Sequence, residues 1–251
     1  MILVTGSAGK IGQAVVAELQ ARQCPVRGFD RVPTPGLKDA VVGSITNPDD
    51  VRSAMDGVEV LIHLAATPDD DLFVERLVPN NIIGVYHVFE AAREAGVRRM
   101  IVASSGQVVW GSRLTGPWPL GEHATPTPRY WYAATKLFLE GAGRAFADRY
   151  GISVAAVRLG WCPRTPEQVQ EIAQLEWAQD VYLSPEDAGR FFADAATAKT
   201  EFTFAIVYAT SIPKKIARYD LSLAQKLFGY VPTQTWPEGI ETVVGATPPT
   251  G

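Results

Sequence analysis

The chain has 251 residues, of which 47% are hydrophobic, and its formal net charge is −4. This length suffices for one large core. The sequence contains no run of Lys and Arg of the kind that indicates nucleic-acid binding. Its apolar runs are far shorter than the ~20 residues that span a membrane. Because the first apolar run starts at residue 2 and only two cysteines occur, we expect a cytoplasmic protein without a targeting segment or a disulfide framework.

Strand-length apolar runs alternate with helical patterns through the first two-thirds of the chain. We predict strands at residues 2–5, 26–30, 39–42, 58–65, 100–103 and 154–159. The predicted helices cover residues 11–22, a segment that starts at 46–49, and residues 80–95 and 130–150. Such alternation is typical of an α/β fold whose parallel sheet is doubly wound by right-handed crossovers.

The pattern is looser after residue 159. Helices are predicted at 167–178, 184–198 and 221–228, a strand at 202–209, and a surface location for the Pro/Thr/Gly-rich tail. We find no linker or repeat. We therefore predict a single domain over residues 1–251, in which about 160–251 contribute a small C-terminal lobe.

A glycine-rich turn joins the first strand to the first helix, with the sequence Thr5-Gly6-Ser7-Ala8-Gly9-Lys10-Ile11-Gly12. Glycines in such a turn permit a tight bend, close approach of a pyrophosphate and close packing of helix on sheet. The N-terminus of the helix offers free N–H groups to the phosphates. The turn therefore predicts a dinucleotide site.

A carboxylate ends the second predicted strand. Asp30 lies 18 residues after Gly12, where an acid can accept hydrogen bonds from both ribose hydroxyls of NAD and would repel the 2′-phosphate of NADP. Arg31 and Lys10 keep NADP open, since either could bind that phosphate. The sequence favours NAD over NADP.

A tyrosine and a lysine lie four residues apart in the helix 130–150, as Tyr132-Ala133-Ala134-Thr135-Lys136. This spacing places both side chains on one helix face. A neighbouring ammonium stabilises phenolate, so we expect the pKa of Tyr132 to fall below its usual value of about 10. Tyr132 is then a candidate acid or base, although such a pair also occurs on ordinary surfaces.

Two serines, Ser104 and Ser105, follow the strand 100–103. Ligands of parallel sheets bind at the carboxyl ends of the strands, so a serine there could hydrogen-bond a reacting oxygen. Ordinary loop polarity is the alternative.

Together these segments resemble the extended branch of the short-chain dehydrogenase/reductase superfamily, which contains sugar epimerases, dehydratases and dehydrogenases. The resemblance covers about residues 1–160. It rests on the glycine turn, His63-Leu64-Ala65-Ala66, Asn80-Asn81-Ile82-Ile83-Gly84, Ser104-Ser105 and Tyr132-x-x-x-Lys136.

The resemblance implies a doubly wound Rossmann sheet with a small substrate lobe, and a homodimer formed through the helices 80–95 and 130–150. It assigns acid/base catalysis to Tyr132, the nicotinamide ribose to Lys136, the substrate oxygen to Ser105 and support of the lysine and water network to Asn81. It implies no catalytic role for His63. The implied cofactor site comprises Gly6, Gly9, Lys10, Ile11, Gly12, Asp30, Arg31, Ser44, Ile45, Leu64, Ala65, Ala66, Tyr132 and Lys136.

The sequence departs from the family pattern at three places. Gly43-Ser44-Ile45 stands where an acid often holds the adenine. The loop Gly106-Gln107-Val108-Val109-Trp110-Gly111 is one residue longer than is common, which leaves open Ser104 or a shifted register in place of Ser105. Gly106-Gln107 also lacks the extra acid and base that a 4,6-dehydratase needs to eliminate water.

The small C-terminal part suits a dehydrogenase of a sugar or sugar acid, because only about 90 residues follow Leu159. The segments 158–160 and 181–187 look similar to uronate dehydrogenases. Arg164 could bind a substrate carboxylate, with a solvated loop arginine as the alternative. The candidate substrate residues are Ser105, Gln107, Tyr132, Trp161 and Arg164.

Four tryptophans are expected around the pocket mouth, most of them in core or lid packing, with stacking on a substrate as the alternative role: Trp110, Trp118, Trp131 and Trp161. Their number indicates a more apolar pocket than a uronate requires, so a non-sugar alcohol or ketone is also possible.

The leading hypothesis is an NAD-dependent oxidoreductase acting on a sugar, a sugar acid or another secondary alcohol. The alternatives are a sugar or nucleotide-sugar epimerase that uses NAD, and a catalytically silent NAD-sensing binder. No metal ligand is proposed.

Overall fold

A computed structural model describes residues 1–243, so residues 244–251 of the predicted surface tail lie outside the described part. The strands are β1 (Ile2–Thr5), β2 (Val26–Asp30), β3 (Ala40–Val42), β4 (Val60–His63), β5 (Arg99–Ser105), β6 (Ser153–Leu159) and β7 (Phe204–Ala209). The α-helices are α1 (Lys10–Ala21), α2 (Pro48–Ala54), α3 (Gly84–Glu94), α4 (Trp110–Thr115), α5 (Trp131–Tyr150), α6 (Pro166–Gln174), α7 (Glu176–Asp180), α8 (Pro185–Thr197) and α9 (Ser222–Phe228).

The strands form one parallel sheet in the order β3-β2-β1-β4-β5-β6-β7. The winding direction reverses between β1 and β4, and ligands of such sheets bind at the carboxyl ends of the strands beside this reversal. The predicted doubly wound α/β fold is confirmed. β7 comes from the looser C-terminal third, so that part completes the sheet.

Hydrophobic layers cover both faces of the sheet. Leu3 and Val4 are adjacent in β1 and belong to opposite layers, because successive strand side chains point to opposite faces. One layer packs against α1, α8 and α9, and the other against α2, α3 and α5. Burial on both faces explains the continuous apolar runs that identified the central strands.

A smaller apolar cluster lies in the C-terminal part, where Val169, Ile172, Tyr182 and Trp236 are buried together. It packs α6 and α7 beside the carboxyl edge of the sheet. Within residues 1–243, no helix has both the length and the apolar content needed to cross a bilayer.

Local capping explains the helix starts that were predicted well. The Asn47 carboxamide accepts a hydrogen bond from the Asp49 N–H (3.0 Å) at the start of α2. The Ser184 hydroxyl accepts one from the Asp187 N–H (3.0 Å) at the start of α8. Each bond satisfies an N–H that has no partner within the helix.

The helix predicted at 80–95 begins earlier, with a π-helical segment, Phe73–Ile83, that continues into α3. The N–H of Leu77 reaches the Leu72 carbonyl five residues back (3.1 Å). Pro79 has no N–H and crowds the preceding turn of an α-helix, and the wider π turn accommodates it.

Two other expectations need correction. The helix predicted at 167–178 is divided into α6 and α7 because Leu175 has an extended conformation (φ −116°, ψ 101°). The segment after β5 was expected to be a loop, but it forms a 3₁₀ turn, Gly106–Val109, followed by α4.

Candidate active site

The glycine turn is built where the backbone of α1 meets that of the sheet. Gly6 has φ +74°, and a Cβ at this residue would lie 2.8 Å from the Ala65 nitrogen. A Cβ at Gly12 would overlap the Gly6 carbonyl oxygen and lie 2.7 Å from the Ser7 Cα. Both positions therefore need glycine, one for its backbone angle and the other for close packing.

Asp30 lies at the end of β2, beside this turn. Its carboxylate accepts hydrogen bonds from the backbone N–H of Ala8 (3.0 Å) and of Arg31 (2.6 Å). These bonds fix the carboxylate at the rim of the groove above the turn. An acid in this place suits a ribose diol and repels a 2′-phosphate.

A cleft of about 500 Å³ follows the carboxyl ends of the central strands. Every residue predicted for the cofactor lines it: Gly6, Gly9, Lys10, Ile11, Gly12, Asp30, Arg31, Ser44, Ile45, Leu64, Ala65, Ala66, Tyr132 and Lys136. We call it the cofactor cleft. A glycine turn that leaves room for phosphates and an acid at the ribose position fit a dinucleotide.

Tyr132 and Lys136 lie on the same face of α5. The Lys136 ammonium is 5.6 Å from the centre of the Tyr132 ring and donates a hydrogen bond to the Ala103 carbonyl (2.8 Å). Burial lowers the pKa of Lys136 to about 8. The ammonium remains the main form at neutral pH and has donors to spare for a ligand.

The expected fall in the pKa of Tyr132 is wrong for the protein without cofactor. Burial raises this pKa above its ordinary value, and the Asp69 carboxylate raises it further. The Arg164 charge and a hydrogen bond to Ser105 oppose the rise without cancelling it. Desolvation of the phenolate therefore outweighs its stabilisation by neighbouring charges.

The two serines have different surroundings. The Ser104 hydroxyl donates to the Glu140 carboxylate (2.6 Å), which also forms a buried two-pronged ion pair with Arg158 (2.9 Å for each bond). Ser105 contacts Tyr132 and accepts a hydrogen bond from the Gln107 N–H (3.1 Å). The structure thus places Ser105 beside the phenol, whereas Ser104 helps to hold β5 against α5.

Asn81 connects the strand-end loop to the helix that carries Tyr132. Its carboxamide accepts from the Thr67 N–H (2.8 Å) and donates to the Thr67 carbonyl (3.0 Å) and to the Thr135 hydroxyl (3.1 Å). Thr135 directly precedes Lys136. Asn81 therefore ties the Thr67 segment to α5 at the residue before Lys136.

His63 is buried at the end of β4, where its Nδ1 shares a hydrogen bond with the Thr5 hydroxyl (2.7 Å). Burial, reinforced by the Lys136 charge, lowers the pKa of His63 to about 3. The imidazole is therefore neutral under ordinary conditions.

A second cleft, of about 320 Å³, opens beside the first. The residues predicted for the substrate all line it, namely Ser105, Gln107, Tyr132, Trp161 and Arg164. We call it the substrate cleft. Tyr132 lines both clefts, so the phenol stands where the two meet.

The tryptophan prediction is only partly right. Trp110 and Trp161 line the substrate cleft, together with Trp177, which was not singled out from the sequence. Trp118 instead donates to the Arg113 carbonyl (3.0 Å), and Trp131 packs at the surface against the exposed Phe73.

The charged groups of the substrate cleft include one that the sequence did not reveal. Arg164 forms an ion pair with Asp69, and the Tyr132 N–H donates to Asp70 (3.1 Å). Arg113 also lines this cleft although it is almost fully buried. In the sequence, the one indication of its position was that Arg113 follows Trp110 by three residues, which places both side chains on one face of α4.

A dinucleotide cleft that meets a second cleft at a half-buried tyrosine defines the chain as a Rossmann-type dinucleotide-dependent enzyme. Residues 2–161 match the NAD dependent epimerase/dehydratase family, and the chain belongs to that family. Membership confirms the predicted extended short-chain dehydrogenase/reductase type. It also agrees with the predicted cofactor, since the family description names NAD.

Individual relatives are mainly sugar and sugar-acid dehydrogenases. The chain is 30% identical to the NAD-dependent glucose-6-phosphate dehydrogenase of Haloferax volcanii over 249 residues, 92% of each chain. It is 32% identical to the uronate dehydrogenase of Pseudomonas putida over 163 residues, 63% of this chain and 60% of the relative. A uronate dehydrogenase mutant from Agrobacterium tumefaciens, complexed with NAD, has the same fold, with a TM-score of 0.76 and 24% identity over 100% of this chain and 91% of the other. The predicted likeness to uronate dehydrogenases is confirmed.

Removing the charge of Asp30 should weaken the preference for NAD. In the Asp30→Asn variant an acceptor oxygen remains for the Ala8 N–H, but the carboxylate that repels a 2′-phosphate is lost. We expect the ratio of kcat/KM for NAD to that for NADP to fall about tenfold or more, as for one lost charged hydrogen bond. Steady-state kinetics with each cofactor measures this ratio.

The matched control is Asp39→Asn, which changes an acid at the neighbouring strand that pairs with Arg27. It should leave the cofactor ratio unchanged. An Asp30→Asn enzyme with the wild-type ratio would show that the carboxylate does not select the cofactor.

Proposed function

We propose that the protein is an NAD-dependent dehydrogenase that oxidises a hydroxyl group of a sugar or sugar acid. The observation that carries this proposal is the position of Tyr132, which lines both the cofactor cleft and the substrate cleft. A group at this junction can exchange a proton with a substrate oxygen while hydride leaves the adjacent carbon. The substrates named for the relatives support the substrate class.

The proposed chemistry assigns a separate task to each side chain. When bound, NAD accepts the hydride from the substrate carbon. Tyr132 removes the hydroxyl proton as the C–H bond breaks, and Ser105 hydrogen-bonds the same oxygen and orients it. Lys136, which is anchored by the Ala103 carbonyl, uses its other N–H groups for the nicotinamide ribose and favours the phenolate form of Tyr132.

The cofactor would occupy the groove that the glycine turn and Asp30 define. Gly9, Lys10, Ile11 and Gly12 would face the pyrophosphate at the N-terminus of α1. Asp30 would accept the adenosine ribose hydroxyls, with Arg31 beside it. The adenine and the rest of the cofactor would contact Ser44, Ile45, Leu64, Ala65 and Ala66.

The test is formation of NADH by the purified protein with NAD and a panel of aldoses, uronates, sugar phosphates and secondary alcohols. NADH formation with a sugar or sugar acid supports the proposal. Product without net NADH, with cofactor retained through purification, would identify an epimerase. Binding of NAD without turnover across the panel would identify a silent binder and overturn the proposal.

We further propose that one domain spans residues 1–251 and that residues from about 160 onward supply its substrate lobe. In support, Gln168 on α6 and Trp177 on α7 line the substrate cleft, while β7 extends the sheet. Cys24 and Cys162 are both free, which agrees with the proposed cytoplasmic location.

We also propose a homodimer formed through α3 and α5. Large apolar side chains are exposed on α3, on α5 and on the π-helical segment before α3: Tyr86, Trp131, Phe138 and Phe73. Phe73 and Trp131 pack together with their rings tilted by 40° and the ring centres 4.8 Å apart. An exposed apolar patch of this kind favours a protein interface.

A Phe138→Glu variant should be monomeric, because a charge would be desolvated at the centre of the proposed interface. Sedimentation velocity should give about twice the chain mass of 27.2 kDa for the wild type and one chain mass for the variant. Val231→Glu is the control, since Val231 is exposed and follows Tyr230, which packs on the other face of the sheet. A wild-type monomer would contradict the proposal.

A further inference from the structure

Arg113 is a buried cation with unused hydrogen-bond donors. Its relative exposure is 4%, and it lines the substrate cleft. Its Nε and Nη2 have no hydrogen-bond partner among residues 1–243. These two nitrogens lie on one edge of the guanidinium, where they form the fork that matches two oxygens of a carboxylate or phosphate.

The other buried arginines do not share this property. Arg158 is paired with Glu140 and Arg218 with Asp180. Arg99 donates to backbone carbonyls that include Ala195 (3.2 Å). Because leaving a buried charge without a counter-ion is costly, the free edge of Arg113 requires an explanation.

Two tryptophans hold the guanidinium in place. Its central carbon is 4.3 Å from the centre of the Trp110 ring and 4.5 Å from that of Trp177. Trp161 stacks on Trp177 at 5.9 Å with 29° between the rings. The rings of Trp110 and Trp177 pack edge to face on each other (centres 5.9 Å apart, 67° between the planes). They therefore meet the guanidinium from neighbouring directions and contribute cation–π attraction, but they supply no hydrogen-bond acceptor to its Nε and Nη2.

Within residues 1–243, the acids that line the substrate cleft do not bind the Nε and Nη2 of Arg113. Asp69 pairs with Arg164, and Asp70, which is exposed, accepts from the Tyr132 N–H. Glu171, the remaining acid of the substrate cleft, is exposed to solvent. Arg113 also contacts the Tyr219 phenol. Burial raises the pKa of that phenol, and the charge of Arg113 and a hydrogen bond to it partly oppose the rise.

We propose that Arg113, packed against Trp110 and Trp177, binds an oxyanion of the substrate, a carboxylate or a phosphate, away from the carbon that is oxidised. This inference rests on the proposed function and adds a substrate class, a sugar that carries an anionic group. In this proposal Arg113, and not Arg164, binds the anionic group, because Arg164 already pairs with Asp69.

The test compares sugars that differ in one group: D-glucose, D-glucuronate and D-glucose 6-phosphate, with the corresponding galactose series. We expect the wild type to prefer one anionic member over its neutral counterpart by about 100-fold in kcat/KM, as for a charged two-pronged contact. The preferred member distinguishes carboxylate from phosphate. An enzyme that uses the neutral sugar equally well overturns the proposal.

In the Arg113→Gln variant, kcat/KM for the anionic sugar should fall about 100-fold, mainly through KM, with little change for the neutral sugar. Arg113→Lys keeps the charge but loses the two-pronged contact. Its kcat/KM for the anionic sugar should therefore lie between that of the wild type and that of Arg113→Gln. The control is Arg129→Gln, an exposed arginine that also lies near Trp110 (5.8 Å). Equal losses for anionic and neutral sugars would show a structural role and overturn the proposal.

Calorimetric binding to the Tyr132→Phe protein with saturating NAD separates this inference from the proposed function. Anionic sugars should bind more tightly than neutral ones, and adding Arg113→Gln should remove the difference. That result supports the inference even if the wild type forms no NADH, an outcome that would refute only the dehydrogenase proposal. If the anionic and neutral sugars bind alike, or none of them binds, the inference is wrong.

Discussion

A Tyr132→Phe variant is expected to lose NAD-linked turnover by about 10²–10⁴-fold, the usual contribution of a positioned acid or base. Its ring can still fill the junction of the two clefts, but it can neither take a proton nor hydrogen-bond Ser105. NAD should bind with nearly unchanged affinity, because the glycine turn and Asp30 are intact. Single-turnover NADH formation and calorimetric NAD binding measure the two effects separately.

Tyr130→Phe is the matched control, because Tyr130 also lines the substrate cleft and packs edge-on against Trp110 (5.6 Å). Its loss of a hydroxyl should leave the turnover number nearly unchanged. If Tyr132→Phe retained wild-type turnover, another group would have to move the proton.

The state of Tyr132 also sets the expected pH dependence. Burial raises its pKa in the protein without cofactor, so the phenol is protonated at neutral pH. Because oxidation of an alcohol needs the phenolate as base, kcat/KM for oxidation should rise with pH on the alkaline side of neutrality. Reduction uses the protonated phenol, whose pKa lies above its ordinary value, so kcat/KM for reduction should stay nearly constant over the same interval.

A Gly12→Ala variant is expected to be destabilised by about 1–3 kcal/mol, the usual cost of overpacking, and to bind NAD at least about tenfold more weakly. The added methyl group would overlap the Gly6 carbonyl oxygen and lie 2.7 Å from the Ser7 Cα. Both are backbone atoms, so α1 must move away from the turn that binds the phosphates. Urea unfolding and calorimetric NAD binding test both effects.

Gly141→Ala provides a control of opposite sign. A Cβ at Gly141, in the middle of α5, would meet nothing within 4 Å, so alanine should stabilise the protein by about 0.5–1 kcal/mol through helix propensity. If Gly12→Ala were as stable as the wild type, close packing at the turn would not be limiting.

The sequence predicted the cofactor cleft far better than the substrate cleft. Gly6, Gly12 and Asp30 belong to short motifs whose geometry follows from local backbone rules, so their order along the chain suffices. Arg113 and Trp177 belong to α4 and α7, elements that were either missed or merged with a neighbour. Their contact joins residues 64 positions apart, and no local pattern records it.

The tertiary structure also gives the two serines different surroundings. Ser104 and Ser105 are equivalent in local sequence, but Glu140 of α5, held by Arg158 of β6, takes the hydroxyl of Ser104. Ser105 is left to face Tyr132. The preference for Ser105 rested on the family resemblance alone, and the packing of α5 against the sheet adds a physical reason for it.

By itself, the sequence determined the doubly wound parallel fold, the glycine turn, the acid at the end of β2 and the pairing of Tyr132 with Lys136. Each depends on hydrophobic periodicity or on spacing within one element. Only the tertiary structure decided that the pKa of Tyr132 is raised, that Arg164 is paired with Asp69 and that Arg113 keeps a free edge. These properties depend on desolvation and on contacts between distant segments, which arise when the chain folds.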